Sequence, residues 1–284
     1  SSLLSIPDEI TLYDKKRVTN LLLHCGATIN EFNCVRKHIS QIKGGKLVQK
    51  IKCDGYALIM SDVVDNDISV ISSGCTFDDK TTSSDALKII RKYSLEAEFP
   101  KKVISHLKKN MHRKTTIQKN QRIKNKIIAT NQDCLDAMVS KSQVLGFKTI
   151  LSPVIQHDVI ISAKKLVKMI PRSKRFCIIF GGEPTVNVKG KGKGGRNQEL
   201  VLQILKLIHN SNQNLIISSM GTDGIDGNTQ YAGALVQNNS FKLEDILYYL
   251  KNNNSNLFFK KYSGLIKTGY THTNLMDFGL ILKY

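Results

Sequence analysis

The segment GGEPTVNVKGKGKGGRNQEL, residues 181–200, carries the groups that hold a phosphate: glycines, cations and the start of a helix. Gly181 and Gly182 allow the backbone to turn sharply and approach a ligand, and Glu183 supplies a carboxylate where a strand ends. Thr185 opens a short extended piece reaching Val188. From Gly190 to Gly195, through Gly194, a flexible loop carries Lys191 and Lys193, with Lys189 ahead of it. Arg196, Asn197 and Gln198 then begin a helix that continues through Leu200 and Ile204. Such a loop can turn backbone N–H groups, a helix N-terminus and several cations toward one anion, and a phosphate fits well. On composition alone the glycine-lysine alternation could equally be a solvated hairpin tip, but the flanking GGEPT and NQE argue for chemistry. Two generic motifs overlap the loop and neither holds. Gly190, Gly192 and Gly195 spell GxGxxG without a ribose-binding acidic residue clearly in place, and Arg196 and Asn197 stand where a Walker A loop requires Lys and Ser or Thr.

A second loop, GTDGIDGNT at 221–229, sets Asp223 and Asp226 three residues apart among glycines. Carboxylates so placed suit a hard cation or the hydroxyls of a sugar, and they also suit a glycine-rich turn in which Asp satisfies backbone N–H groups. The ligand series of an EF-hand is missing, so Mg²⁺ shared with a substrate phosphate, with Asp223 as the metal ligand, is the more natural chemistry. Other chemistries find no support. His24, His38, His157 and His272 lack zinc-binding spacing, and Ser72-Ser73-Gly74 is not a nucleophile elbow.

The elements that must position these loops alternate between β and α. A helix is expected over 11–25 with Thr11 as N-cap and Gly26 as stop, and a second after Asn33 that runs into a turn at Lys43-Gly44-Gly45. YALIMSDV, 56–63, reads as a buried strand whose polar exit at Ser61 and Asp62 opens a loop. Helices over about 83–93 and 100–110, a strand at 126–130, a helix over 133–145, the strand-like KTILSPV and a helix over about 158–170 follow. The basic PRSKR at 171–175 is the candidate domain boundary. Beyond it three apolar strands run into glycine-containing loops: RFCIIF into GGEPT, LIISSM into GTDGIDG, and GLIK into TGYTHTN. In open α/β sheets ligands lie beyond the carboxyl ends of strands, so the three loops are expected to face one crevice.

At 284 residues and 41% hydrophobic the chain can bury a sizeable core. Its longest apolar runs are strand-sized, so no membrane partner is expected. Cys25, Cys34, Cys53, Cys75, Cys134 and Cys177 form neither a CxxC pair nor a compact disulfide framework, and reduced thiols in the cytoplasm are the expectation. The net charge is +19, but only eight of the 42 basic residues are Arg. Lys is the poorer choice for bidentate phosphate or base recognition, so the excess reads as compositional bias of the source. The densest stretch, 101–126 from Lys101 and Lys102 to Arg122 and Lys126, reads as a solvated helix face. No nucleic-acid module accompanies it, so a nucleic-acid partner is not expected.

GGEPT, GKGKGGRNQE and GTDGIDG, in that order, closely resemble the MOFRL domain of the class II glycerate kinases, and TGYTHTNLMDF is similar to that domain's closing segment. INEFNCVRKHISQIKGGKL at 29–47, SDVVDNDISVISSGCT at 61–76 and NKIIATNQDCLDA at 125–137 resemble the first domain of the same enzymes. The resemblance implies an α/β chain with an incomplete Rossmann-like first domain over 1–172 and an α/β MOFRL domain over 173–284. It implies transfer of phosphate from ATP, with Mg²⁺, to the 2-hydroxyl of D-glycerate in a cleft between the two. It carries a catalytic role onto Arg196 and adds Asp62 to the ATP- and substrate-binding residues. The family's second catalytic group, a Lys near the N-terminus, has no counterpart here, and Ser1-Ser2-Leu3-Leu4 is similar to the tail of a glycine-rich segment, so roughly the first third is expected to be absent. Cys75, Asn228, Gln230, Tyr270 and His272 depart from the family pattern. The alternatives are a hydroxypyruvate reductase, the older label of some members, and a non-catalytic remnant or one half of a split kinase completed by an upstream chain.

Overall fold

The computed structural model describes residues 3–111, 123–211, 213–238 and 241–284. The described residues form two compact units, residues 1–59 with 65–128 and residues 60–64 with 129–284. The second therefore begins well before the PRSKR segment, because the elements between 129 and 170 pack with the later strands.

The first unit contains helices α1 (Leu12–His24), α2 (Ile29–His38), α3 (Ser83–Lys92) and α4 (Lys101–Lys109). Thr11, Thr28 and Thr82 each cap a helix with a reciprocal box, the Thr side chain bonded to the backbone three residues on and the acid there bonded back to the Thr N–H. The box at Thr28 with Glu31 is why α2 starts at Ile29, earlier than the position after Asn33 that periodicity suggests. Val18, Leu22, Val35, Ile39, Leu87, Ile90, Val103 and Leu107 meet in one core. In α4 the apolar pair faces inward while Lys101, Lys102, Lys108 and Lys109 are exposed, the solvated face expected of the basic stretch. Arg122 and its neighbours from 112 lie outside the described residues.

Strands β1 (Gly55–Met60) and β2 (Ile123–Ala129) pair as a two-stranded sheet. Here the reading of YALIMSDV as a buried strand is corrected: Tyr56 and Leu58 are 68% and 64% exposed. Two strands cover only one of their faces, and the alternate side chains of β1 point to solvent.

In the second unit α5 (Asn131–Val144), capped by a Thr130 box, leads to β3 (Lys148–Leu151), then α6 (Val159–Lys168), β4 (Phe176–Gly182), α7 (Arg196–Ile208), β5 (Ile216–Gly221), β6 (Gly233–Gln237), α8 (Leu243–Lys251), α9 (Ser255–Lys261), β7 (Leu265–Ile266) and β8 (Asp277–Lys283). The sheet order is β3-β4-β8-β5-β6-β7. β4 is buried on both faces. Phe176, Ile178 and Phe180 pack among residues of α6, α7 and α9, and Cys177 and Ile179 pack under α5. β3 is parallel to β4, while β8 runs antiparallel to both β4 and β5, and β6 antiparallel to β5 and β7. The loops after β4, β5 and β7 thus leave the same edge of the sheet, and β8 enters from it. Both units mix helices and sheet, the α/β class expected from the sequence.

Candidate active site

Arg196, the first residue of α7, has its guanidinium fixed by two carboxylates. Nε donates to Asp277 Oδ2 at 2.5 Å, Nη2 to Asp277 Oδ1 at 3.0 Å, and Nη1 to Glu183 Oε1 at 2.7 Å. Asp277 is 1% exposed, whereas the Arg196 side chain is 34% exposed. Of the five guanidinium N–H groups these bonds use three, which leaves one on each terminal nitrogen for a ligand. The paired carboxylates raise the Arg196 pKa against the opposing effect of burial, so it is a permanent cation. Burial pushes the Asp277 carboxyl up and the guanidinium pulls it back. Asp277 reaches this place through topology: as the first residue of β8 it pairs with Gly182, where β4 ends, and with Gly221, where β5 ends.

The N-terminus of α7 does not await an anion, contrary to the sequence-based expectation. The buried Asp226 carboxylate fills it, accepting from Asn197 N (3.0 Å), Asn197 Nδ2 (3.3 Å), Gln198 N (2.9 Å) and Gln198 Nε2 (2.9 Å). A β-carbon on Gly195 would strike that carboxylate, so the approach requires glycine. Burial pushes the Asp226 carboxyl up to about 6 against the four donors. Asn197 and Gln198 are buried as well, bonded to Ser219 and Asn256, and belong to this internal network. Asp226 borders the cleft from within this network, whereas Asn197 and Gln198 are not among the residues that line it.

The glycine loop is likewise bonded to the protein. Lys189 N and Gly190 N donate to Asn253 Oδ1, Gly192 N to Asn252 O, Lys193 N to Asn254 Oδ1 and Gly194 N to Asn228 Oδ1. Most of the N–H groups read from the sequence as a phosphate cradle are thus already satisfied, while the side chains of Lys191 and Lys193 remain exposed. Gly181 and Gly182 also serve the protein. Both are buried, and a β-carbon would strike Asn131 and Leu135 at the first and the Ile155 carbonyl at the second, where φ is +139°.

The GTDGIDG and TGYTHTN loops are joined by hydrogen bonds. Thr271 N donates to Asp223 O at 3.2 Å and Thr271 Oγ1 to Thr222 O at 2.5 Å, while Thr222 Oγ1 donates to Met276 O at 2.7 Å. Asp223 Oδ1 accepts from Ile225 N at 3.0 Å. GGEPT, the glycine loop and GTDGIDG border a cleft of about 620 Å³ lined by Pro184, Thr185, Val188, Gly195, Arg196 and Asp223 among others, and TGYTHTN contributes no lining residue to it. That volume suits a small-molecule ligand. Among the described residues no three His, Cys, Asp or Glu side chains could enclose a metal ion. Asp62 lies in the 60–64 segment and shares no hydrogen bond with these loops among the described residues, so the structure does not bring it to the cleft. Glu199 lines the cleft wall one turn into α7, buried and pushed up to about 7, chiefly by burial.

Glycine-rich loops at the carboxyl edge of an α/β sheet, with a carboxylate-held arginine in the cleft, mark the place where α/β proteins bind small molecules. Two family models match the chain: DUF4147, described as a domain of unknown function, over residues 1–108, and the MOFRL family over residues 176–277. The glycerate 2-kinase of Pyrococcus horikoshii is 37% identical across 97% of this chain and 66% of its own length. The D-glycerate 2-kinase of Thermotoga maritima is 36% identical across 99% of this chain and 70% of its own length. A crystal structure of the Thermotoga maritima glycerate kinase superposes with a TM-score of 0.82 at 31% identity, covering 98% of this chain and 69% of that one. The chain belongs to the class II glycerate kinase family and spans about two-thirds of the length of these relatives.

Sequence reasoning missed Asp277, Asn252–Asn254 as the anchor of the glycine loop, and Glu199. Asp277 stood at the end of the quoted TGYTHTNLMDF segment, but nothing local marks it; only the antiparallel entry of β8 makes it a partner of Arg196.

Proposed function

We propose that this chain takes part in the ATP-dependent phosphorylation of D-glycerate to 2-phosphoglycerate, with Arg196 stabilising the charge on the transferring phosphoryl group. The observation that carries this reading is the guanidinium with two N–H groups left over, fixed from behind by Asp277 and from the side by Glu183. A donor held in place before the reaction needs no reorganisation when charge develops, which is where electrostatic catalysis gains most. Lys191 and Lys193, exposed on the loop rim, supply cations that draw in a polyphosphate. Thr185 and the backbone of Gly194 and Gly195 border the space such a ligand would take, and Val186, Val188 and Ile225 give it an apolar wall. Asp223 is half-buried at the cleft and fits Mg²⁺ as one protein oxygen in a shell completed by phosphate and water oxygens. Bound there, Mg²⁺ would neutralise phosphate charge. All six thiols are free, which favours a cytoplasmic, reducing setting, and no helix among the described residues is long and apolar enough to cross a membrane.

The test is glycerate-dependent ADP release, with ³¹P NMR to identify the product as the 2-phosphate, compared between the parent and Arg196→Ala. A fall in kcat of about 10²- to 10³-fold is expected. Unchanged kcat would remove Arg196 from the mechanism.

A further inference from the structure

Met276 turns the chain into β8 with φ +65°, a left-handed backbone that a residue with a β-carbon adopts only at a cost. It is 5% exposed and immediately precedes Asp277, and such backbone persists only where its surroundings over-determine it. Two residues from elsewhere in the second unit supply that constraint. Asn131, buried at the start of α5, donates through Nδ2 to the carbonyls on both sides of Met276, Leu275 O at 2.7 Å and Asp277 O at 3.0 Å. Only the amide nitrogen can meet two carbonyl oxygens, so the orientation of that side chain is fixed. Thr222, in the loop after β5, also grips the corner. Its Oγ1 accepts from Leu275 N at 2.7 Å and donates to Met276 O at 2.7 Å, and its N–H donates to the same carbonyl at 3.1 Å. Within the segment, Asn274 Oδ1 accepts from Met276 N at 3.1 Å. The residue that follows is the one whose carboxylate takes two N–H groups of Arg196.

We propose that Asn131 and Thr222 are positioning residues, which clamp the left-handed corner at Met276 and thereby aim the Asp277 carboxylate at Arg196. Pairing along β8 fixes the face that Asp277 occupies, but it is the first residue of the strand, and strand ends open most readily. The hydrogen bonds from Asn131 and Thr222 lie across that end. The Thr130 capping box in turn fixes the start of α5 from which Asn131 reaches. Neither Asn131 nor Thr222 lines the cleft, so their effect on Arg196 travels through the corner. The clamp itself is a matter of geometry; only its kinetic consequence rests on the role proposed for Arg196.

Solvent exchange of the Arg196 Nε–H, which donates to Asp277, reads that aim by ¹⁵N NMR of the 284-residue chain, with the resonance assigned by its loss in Arg196→Lys. Asn131→Ala and Thr222→Val should each speed the exchange by about 10-fold or more, whereas Thr222→Ser, which keeps the hydroxyl, should stay within about 2-fold of the parent. Leu166→Ala, a core change two turns into α6, lowers stability without touching the corner and should leave the exchange unchanged. In the kinase assay, kcat should fall by about 3- to 30-fold in Asn131→Ala and Thr222→Val while both substrate KM values stay nearly constant. Should Asn131→Ala not fold, the comparison of Val with Ser at Thr222 decides alone. The proposal is overturned if exchange is unchanged in the two clamp variants, or if Leu166→Ala speeds it as much as they do. Faster exchange with kcat unchanged would leave the clamp standing and count against Arg196 in the reaction.

Discussion

Arg196 and Asp277 are 81 positions apart in sequence and meet through two hydrogen bonds, because β8 starts where β4 and β5 end. Asp277→Asn would keep the side chain's shape while removing its charge and one acceptor. With the guanidinium no longer held, kcat should fall by roughly 10- to 100-fold, while the glycerate KM changes little. Steady-state kinetics decide this; a variant as fast as the parent would mean that Glu183 alone holds Arg196.

Asp226 stabilises the fold at the same helix end. Asp226→Asn replaces an oxygen that accepts two N–H groups with an NH₂ that faces them, leaving buried donors unpaired. Loss of about 2–4 kcal/mol in urea unfolding is expected. A change under 0.5 kcal/mol, within the usual range for surface substitutions, would contradict the capping role.

Much of this architecture was legible. The Thr11 cap, the strand-to-loop passages after β4, β5 and β7, and the helix over α5 follow from periodicity and turn residues. TINE, TSSD and TNQD repeat the same Thr-x-x-acid signature, and the first and last would have moved the expected starts of α2 and α5 to Ile29 and Asn131. At the site, Arg196 and Asp223 were readable as polar groups in glycine-rich loops, and both border the cleft. What could not be read is which donors the protein consumes itself. A glycine-rich run before a helix looks the same whether its N–H groups face a phosphate or, as here, Asn252–Asn254, Asn228 and Asp226. That depends on contacts 28 to 64 residues away in sequence.

Glu199 sets a pH dependence. Its folded pKa, raised to about 7, exceeds the unfolded value of 4.5, so the folded state binds the extra proton between these limits. The native state is therefore favoured at the acid end, and that contribution is lost as pH rises from about 4.5 through 7. Glu199→Gln removes the titration and keeps an acceptor for Asn253 Nδ2. Relative to the parent it should gain about 1–3 kcal/mol at pH 8 and almost nothing at pH 4. Urea melts at the two pH values measure this, and an equal difference at both would rule out Glu199 as the titrating group.

Asn253 tests whether the glycine loop is ordered by its anchor. Its side-chain carbonyl accepts from both Lys189 N and Gly190 N, at 2.8 and 3.0 Å, and its backbone lies at φ +49°. Alanine there would add backbone strain to the lost hydrogen bonds, so Asn253→Gly is the cleaner change: glycine tolerates that φ and removes only the side chain. With two of its anchors gone, the loop should fluctuate more and hold Lys191 and Lys193 less firmly at the rim. The ATP KM should rise by about 3- to 10-fold with kcat nearly constant, since a fixed loop reduces the entropy lost on binding. Limited trypsin digestion gives a second readout, because Lys191 and Lys193 are exposed cleavage sites whose rate follows local opening. Cutting within 189–195 should accelerate in Asn253→Gly and slow again when ATP is added. Unchanged cutting would show that Asn252, Asn254 and Asn228 hold the loop without Asn253.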